Sequence, residues 1–189
     1  MTAPTFERAP TTAAESALVH AERSPESTRE RLLTWQDPVP VAGAGAKMSG
    51  LEYLRAVASG ELPPPPIAVL MQMQPVELDE GRAVFEGEPG EEHYNPIGTV
   101  HGGYVSTLLD SALGCAVHTT LPAGVAYTTL TLEVKMVRPI TRDMHAVRAE
   151  AEVLHRGRRQ ATAQATVTDV ASGKLLATGT STCLILGES

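Results

Sequence analysis

The stretch Asn95-Pro-Ile-Gly-Thr-Val-His-Gly-Gly-Tyr-Val-Ser-Thr-Leu-Leu-Asp110 gathers a side-chain amide, an imidazole, two adjacent glycines and a carboxylate. Gly102 and Gly103 open a strongly apolar segment of helical periodicity, where the N–H groups of the first turn have no partner within the helix. Such an end can hold an oxyanion. Gly103 in particular has no side chain to keep a carbonyl from its N–H, and the helix dipole adds to the stabilisation of developing negative charge. Asp110 stands where an otherwise apolar helix should carry another Leu or Ala, and a carboxylate there is costly unless it has partners or a task. Seven residues make almost two turns of 3.6, so Asp110 shares an angular face with Gly103. A cleft along that face would show both groups to one ligand, and one subunit need not supply both. The structural reading is a helix carboxylate bonded to a hydroxyl such as Thr107, with His101 equally a brace for its loop.

Other reactive side chains point nowhere so clearly. His93, His118, His145 and His155 are scattered, without the paired spacing of a metal site. Ser106 and Ser111 lack the Gly-x-Ser-x-Gly setting of a nucleophile elbow. Cys115 falls within the apolar helix, as a core residue does. The run His155-Arg156-Gly157-Arg158-Arg159 places several cations and a glycine in an acidic chain, a setting that attracts phosphates or forms a solvated hairpin tip.

These groups need elements to position them. Val105, Leu108, Leu109, Ala112, Leu113, Ala116 and Val117 recur at three- and four-residue intervals, predicting a buried helix from Gly103 to about Thr119. A shorter helix starts at Ser49, with Leu51, Leu54 and Val57 on one side, and stops at Gly60 before Pro63–Pro66. Ile67–Met73 and Arg82–Gly87 read as an antiparallel pair around the turn Asp79-Glu80-Gly81. Beyond the long helix, Ala126–Arg138, Met144–His155, Gln160–Asp169 and Leu175–Leu186 read as strands, the last two joined by a turn at Ala171–Lys174. In the first of them Leu130, Leu132, Val134 and Met136 point one way, and Thr129, Thr131, Glu133 and Lys135 the other. The simplest arrangement is α+β, an antiparallel sheet wrapped around the long helix. Residues 1–47 read as a flexible leader with a short helix around Glu26–Trp35, and Trp35 as the residue able to anchor it.

Length and composition agree with this plan. The 189 residues, 42% of them apolar, suit one domain over 48–189 plus the leader. A net charge of -7 argues against a partner whose phosphates must be neutralised by Lys and Arg, so nucleic acid is not expected. Two cysteines, Cys115 and Cys183, both in apolar surroundings, fit reduced thiols and a cytoplasmic location. Neither a signal peptide nor a membrane span is expected.

From roughly Met48 to Leu186 the chain resembles the hotdog-fold thioesterases of the phenylacetate-degradation (PaaI-like) family. The Asn95, His101-Gly102-Gly103 and Asp110 spacing carries the likeness, together with the helix that follows and a strand ending in Arg138-Pro139. The resemblance implies an acyl-CoA thioesterase of hotdog fold in which Asp110 attacks the thioester carbonyl or activates a water. It implies that the Gly103 N–H polarises the carbonyl oxygen, that Asn95 binds the carbonyl or the water, and that His101 braces the loop. A hydroxyl on the next strand, matching Thr129 with Thr128 as the alternative, would help place the water; one residue of register decides between them. Gly114 stands where some relatives carry a further hydroxyl.

For the CoA end the resemblance implies the basic hairpin, with Arg156, Gly157 and Arg158, joined by Arg138 and by Gly102 near the thioester. It further implies a homodimer or dimer of dimers with active sites at the dimer interface, and chemistry without a metal or an organic cofactor beyond the CoA of the substrate. Aryl and medium-chain acyl groups are both allowed, in a pocket drawing on Ile67–Met73, Met71, Tyr94 and Tyr104. The alternatives are a hotdog hydratase, which uses a different motif, and a non-catalytic acyl-CoA sensor. Residues 1–47 show nothing like a helix-turn-helix that would serve the latter as a transcription factor.

Overall fold

Alternate residues of β4 (Val147–Arg156) and β5 (Gln160–Asp169) are small and fully buried: Val147, Ala149 and Ala151 on one, Ala161, Ala163, Ala165 and Val167 on the other. They form the inner face of an antiparallel sheet in the computed structural model, which describes residues 27–187. The sheet has six strands in the order β1-β2-β4-β5-β6-β3, where β1 is Met73–Asp79, β2 Arg82–Gly87, β3 Ala126–Met136 and β6 Leu175–Leu186. Across this face runs the long helix, Gly102–His118, with Leu108, Leu109, Leu113 and Val117 sunk into it. Small residues on the sheet match large ones on the helix. A Cβ on Gly179 of β6 would come within 3.2 Å of both Leu109 methyls.

Among the described residues three shorter α-helices precede it. Helix α1 (Pro38–Gly45) starts at Asp37, whose carboxylate accepts from the Val39 N–H, with Pro38 in the first position where its missing N–H costs nothing. Helix α2 (Gly50–Ala58) has a capping box in which Ser49 and Glu52 satisfy each other's backbone N–H groups. Helix α3 (Pro66–Leu70) is one turn long, and the long helix is therefore α4. The hotdog arrangement expected from the sequence is the one found.

Several boundaries differ from expectation. The strand expected at Ile67–Met73 begins only at Met73, because Pro66 occupies the first position of α3 and primes a helical turn. Gln72, at φ 49, then turns the chain into β1. The helix expected around Glu26–Trp35 is not there: residues 27–37 have no regular structure, Glu26 lies outside the described residues, and the helix follows at Pro38. Trp35 is 61% exposed and borders a recess of about 250 Å³ with Pro63, Pro64 and Val69. The strand expected from Met144 begins at Val147, and the one expected to reach Arg138 ends at Met136.

The largest departure in register is inside β3. Its pairing with β6 slips between Thr129 and Thr131. A bulge of this kind sets one residue aside and reverses the alternation. Leu132 and Val134 pack on the core as expected, but Leu130 and Met136 are half exposed, while Tyr127 and Thr129 turn inward.

The carboxyl end of α4 is locked to the rest of the chain. Gly81 N–H donates to Thr119 Oγ1 (2.8 Å), and Gly50 N–H donates to the Leu121 carbonyl (2.9 Å). Gly50 crosses so near α4 that a Cβ would overlap the His118 carbonyl oxygen, a backbone atom that cannot swing away. Gly50→Ala is expected to lower stability by about 1–3 kcal/mol through overpacking. The check is urea unfolding, where the midpoint should fall at constant slope; an unchanged midpoint would mean that α2 is not held by this crossing.

Candidate active site

The loop before α4 is organised by Asn95. Its Oδ1 accepts from the N–H groups of Ile97 and Thr99, both at 3.1 Å, and its Nδ2 donates to Thr99 Oγ1 at 2.9 Å. The Asn95 N–H donates to the Thr99 carbonyl, and Gly98, at φ 82, closes the turn onto the Asn95 carbonyl. An Asn side chain that mimics a turn in its own backbone in this way fixes loop shape. His101 is next. Its N–H donates to the His93 carbonyl (2.8 Å), and its ring caps the helix, Nδ1 accepting from Gly103 N–H at 2.8 Å. Nδ1 can accept only in a neutral ring protonated on Nε2.

The sequence assigns His93 no role, yet this residue ties the loop down. Its Nδ1 accepts from Gly90 N–H (3.0 Å), its Nε2 lies 3.3 Å from the Leu70 carbonyl, and its ring packs 4.8 Å from that of Tyr104. Thr99 is the second unforeseen member. Neither could be told from any other loop polar residue without the fold. Tyr104, expected as a pocket contact, is a core residue at 3% exposure, and Met71 and Tyr94 pack half-buried against the same core.

One face of α4 is left bare by the sheet. Gly103 is exposed, and Gly102, Ser106, Thr107, Asp110, Ser111, Cys115 and His118 are half-buried. Ser106 and Thr107 turn their hydroxyls back to the carbonyls of Gly102 and Gly103. Thr107 is therefore not the partner of Asp110. That partner is Thr129, which donates to Asp110 Oδ1 at 3.0 Å, and the β3 bulge is what aims it; Thr128 is exposed on the other side. The polar face expected for Thr129 is thus corrected to the inner face.

Tyr127, two residues earlier on that face, lies against α4 one turn beyond Asp110. A Cβ on Gly114 would fall 2.7 Å from its hydroxyl, which accounts for glycine at that position. Burial pushes the Cys115 thiol up to about 12, with the Asp110 charge adding to it, so Cys115 carries no thiolate at neutral pH.

The expected site residues thus fall into separate groups within one chain. Asn95, His101 and Gly103 form one, and Asp110 with Thr129 another. Seven residues at about 1.5 Å of rise put Gly103 and Asp110 roughly 10 Å apart along a rigid helix. Gly102 borders a cavity of about 350 Å³ together with Met136, Arg138 and Ile140, and Arg138 donates to the Leu175 carbonyl at 2.7 Å. The third group is the β4–β5 hairpin. There Gly157 N–H donates to the Gln160 carbonyl (2.8 Å), and His155, Gly157, Arg159 and Leu184 line a cavity of about 460 Å³. Arg156 and Arg158 are exposed beside it.

A sheet of this order wrapped around one long helix defines the hotdog class, and comparison with known proteins places the chain within it. Residues 97–175 match the Thioesterase superfamily model. Acyl-coenzyme A thioesterase 13 of Homo sapiens is 32% identical over 111 residues, which is 59% of this chain and 78% of that protein. Among solved structures, a phenylacetic acid degradation-related protein of Ralstonia eutropha is 28% identical with a TM-score of 0.64, covering 70% of this chain and 98% of its own. A mutant form of the phenylacetic acid degradation protein PaaI of Thermus thermophilus is 30% identical with a TM-score of 0.57, covering 64% of this chain and 98% of its own. The chain belongs to the thioesterase superfamily and is a thioester hydrolase.

The Asn95 turn makes a direct prediction. Asn95→Ala removes the acceptor of two loop amides and should speed hydrogen exchange at Ile97 and Thr99 by about tenfold or more, the scale of a lost local hydrogen bond. Unchanged exchange at both amides would show that the turn is held by its backbone bonds alone.

Proposed function

We propose that the chain hydrolyses an acyl-CoA, aryl or medium-chain, to the free acid and CoA, in an active site made by two copies of the chain. The observation that carries this reading is the distance between the two halves of the site. The Asp110–Thr129 pair and the glycine N-terminus of α4 are too far apart on one helix to reach one carbonyl carbon and its oxygen. A second copy supplies the missing half: Asp110 of one facing the Asn95–Gly103 loop of the other. Strand β3 supports such pairing, since it ends the sheet order over eleven residues, and Leu130, Met136 and Val137 on or just after it are each about half exposed. A long edge strand with apolar side chains is a template for another strand.

In the covalent route an Asp110 carboxylate oxygen attacks the thioester carbon, the C–S bond breaks, and CoA leaves as the thiolate. Water then cleaves the resulting anhydride. In the general-base route Asp110 takes a proton from water as the water oxygen attacks the same carbon, and the tetrahedral intermediate then breaks its C–S bond to release CoA as the thiolate. Both routes put negative charge on the carbonyl oxygen. Because the Gly103 amide is already bonded to the His101 ring, we assign that oxygen to the neighbouring Gly102 N–H, which borders a cavity and has no carbonyl behind it in the helix. Asn95 and His101 then act by holding the loop, and Thr129 by fixing the carboxylate. The CoA phosphates fall to Arg156 and Arg158 beside Gly157, with Arg138 nearer the thioester. The free thiols of Cys115 and Cys183 suit a reducing compartment, and we place the enzyme in the cytoplasm.

Thiol release from a panel of aryl- and straight-chain acyl-CoA substrates tests this reading. Asp110→Asn, checked to be folded and of wild-type size in solution, should lose on the order of a hundredfold or more in kcat. Equal rates would remove Asp110 from the chemistry, and tight binding without turnover in the wild type would make the protein a sensor. Replacing Arg156 and Arg158 together by Ala should raise KM several-fold at low salt and less at high salt, with kcat kept, as screened phosphate contacts require. A KM insensitive to both the substitution and the salt would move the nucleotide elsewhere.

A further inference from the structure

His93 is half-buried and bonded at both ring nitrogens, yet the reaction as written gives it no part. Its Nδ1 accepts from the Gly90 N–H at 3.0 Å, so the ring hydrogen is on Nε2, which donates to the Leu70 carbonyl at 3.3 Å. Leu70 is the last residue of α3, where a carbonyl has no partner within the helix. That support is itself tied down. Gln72, two residues on, takes the Glu88 N–H on its carbonyl (3.0 Å) and donates its Nε2 to Glu92 Oε1 (2.8 Å). A phenyl ring would pack on Tyr104 as the imidazole does, so packing alone does not call for His at this position. Two bonds from one flat ring to two separate segments do.

From His93 two links reach the amino end of α4. Its carbonyl accepts from the His101 N–H at 2.8 Å, and its ring lies against that of Tyr104, with centroids 4.8 Å apart. His101 and Tyr104 in turn hold the peptide unit that joins His101 to Gly102. The His101 carbonyl accepts from the Tyr104 N–H at 3.0 Å, and in a planar trans peptide the Gly102 N–H points the opposite way from that carbonyl. Gly102 has no side chain to restrict this plane. Its N–H is therefore aimed by whatever holds its neighbours.

We propose that His93 is a positioning residue for thioester hydrolysis. It clamps the loop between Gly90 and the end of α3, and through His101 and Tyr104 it fixes the direction in which the Gly102 N–H meets the carbonyl oxygen. The proposal rests on the reading that gives that oxygen to Gly102. His93 itself stays off the substrate, since both of its ring nitrogens are already bonded.

The test is a double-mutant cycle in the full chain, with thiol release from the acyl-CoA panel as readout and each variant checked to be folded and of wild-type size. His93→Phe keeps a ring against Tyr104 and removes both bonds. Gly102→Pro removes the one N–H. Proline suits the first position of a helix, His101 before it is already extended at ψ 138, and a Cβ there would come within 3.3 Å of the far end of the Met136 side chain. His93→Phe should lower kcat by about tenfold with KM within about twofold, and His93→Gln, which keeps a donor and an acceptor, should lower it less. Gly102→Pro should lose about a hundredfold, the scale of one oxyanion donor. In the Gly102→Pro background His93→Phe should add no further loss, because the N–H it aims is gone. Wild-type kcat in His93→Phe, a loss confined to KM, or equal losses with and without the Gly102 N–H would overturn the proposal. If His93→Phe does not fold, His93→Gln takes its place in the cycle; if Gly102→Pro does not fold, the split between kcat and KM decides. Gly102→Pro with wild-type kcat means that the parent reading has failed, whereas an impaired Gly102→Pro beside a fully active His93→Phe overturns the positioning role alone.

Discussion

Helix α4 rests on alanines. Ala149, Ala151, Ala161, Ala163 and Ala165 leave a shallow inner sheet face into which Leu108, Leu109 and Leu113 can descend, and burial of those side chains is the main source of stability here. Much of the remaining structure follows from that depth. The sheet encloses most of the helix circumference, so only a narrow strip stays uncovered, and Asp110 is on it. A carboxylate one position earlier, at Leu109, or two positions later, at Ala112, would be buried among methyl groups. The same depth removes side chains where elements cross, at Gly50, Gly114 and Gly179.

A rigid helix also fixes what one chain cannot do. In the proposed reaction its amino end offers the Gly102 N–H and a favourable dipole to an oxyanion, while its middle offers a carboxylate to carbon. No flexing of an α-helix brings those two points together, and moving the carboxylate toward the first turn would place its charge where the oxyanion must form. The proposed division of the site between copies would resolve both constraints and give the uncovered strip of α4 a use.

How much of this was legible in the sequence depends on whether a feature was periodic. The 3.6-residue pattern located α4 to within one residue at each end, and alternation with turn residues located β5 and β6 fully. The Asn95, His101 and Asp110 set came from the resemblance to the family motif, and the structure puts the first two in one loop and the third on the bare face of α4. What failed was local geometry that composition does not encode. Four prolines announce the end of α2, but the last of them starts α3, so an apolar run read as a strand is a helical turn. The β3 bulge is invisible in Thr-Thr-Leu-Thr-Leu, yet it decides that Thr129 rather than Thr128 reaches Asp110. His93 became meaningful only when the fold laid its carbonyl beside His101.

The two halves of the proposed site are held in different ways, and the difference suits the tasks assigned to them. The loop half is fixed by neutral hydrogen bonds that consume the Asn95 oxygen and the His101 Nδ1, so those atoms hold the backbone rather than meeting substrate first. Protonating His101 on Nδ1 would replace an acceptor by a donor facing the Gly103 amide, unfastening the cap and adding a charge at the helix end. The carboxylate half has one oxygen bonded by Thr129. A single bond leaves the other oxygen available to react while setting its direction, whereas several strong donors would make the carboxylate a poorer nucleophile or base. In the proposed reaction, holding the backbone tightly and the carboxylate lightly would let charge build on the carbonyl oxygen with little rearrangement around it, the condition under which a fixed amide stabilises it most.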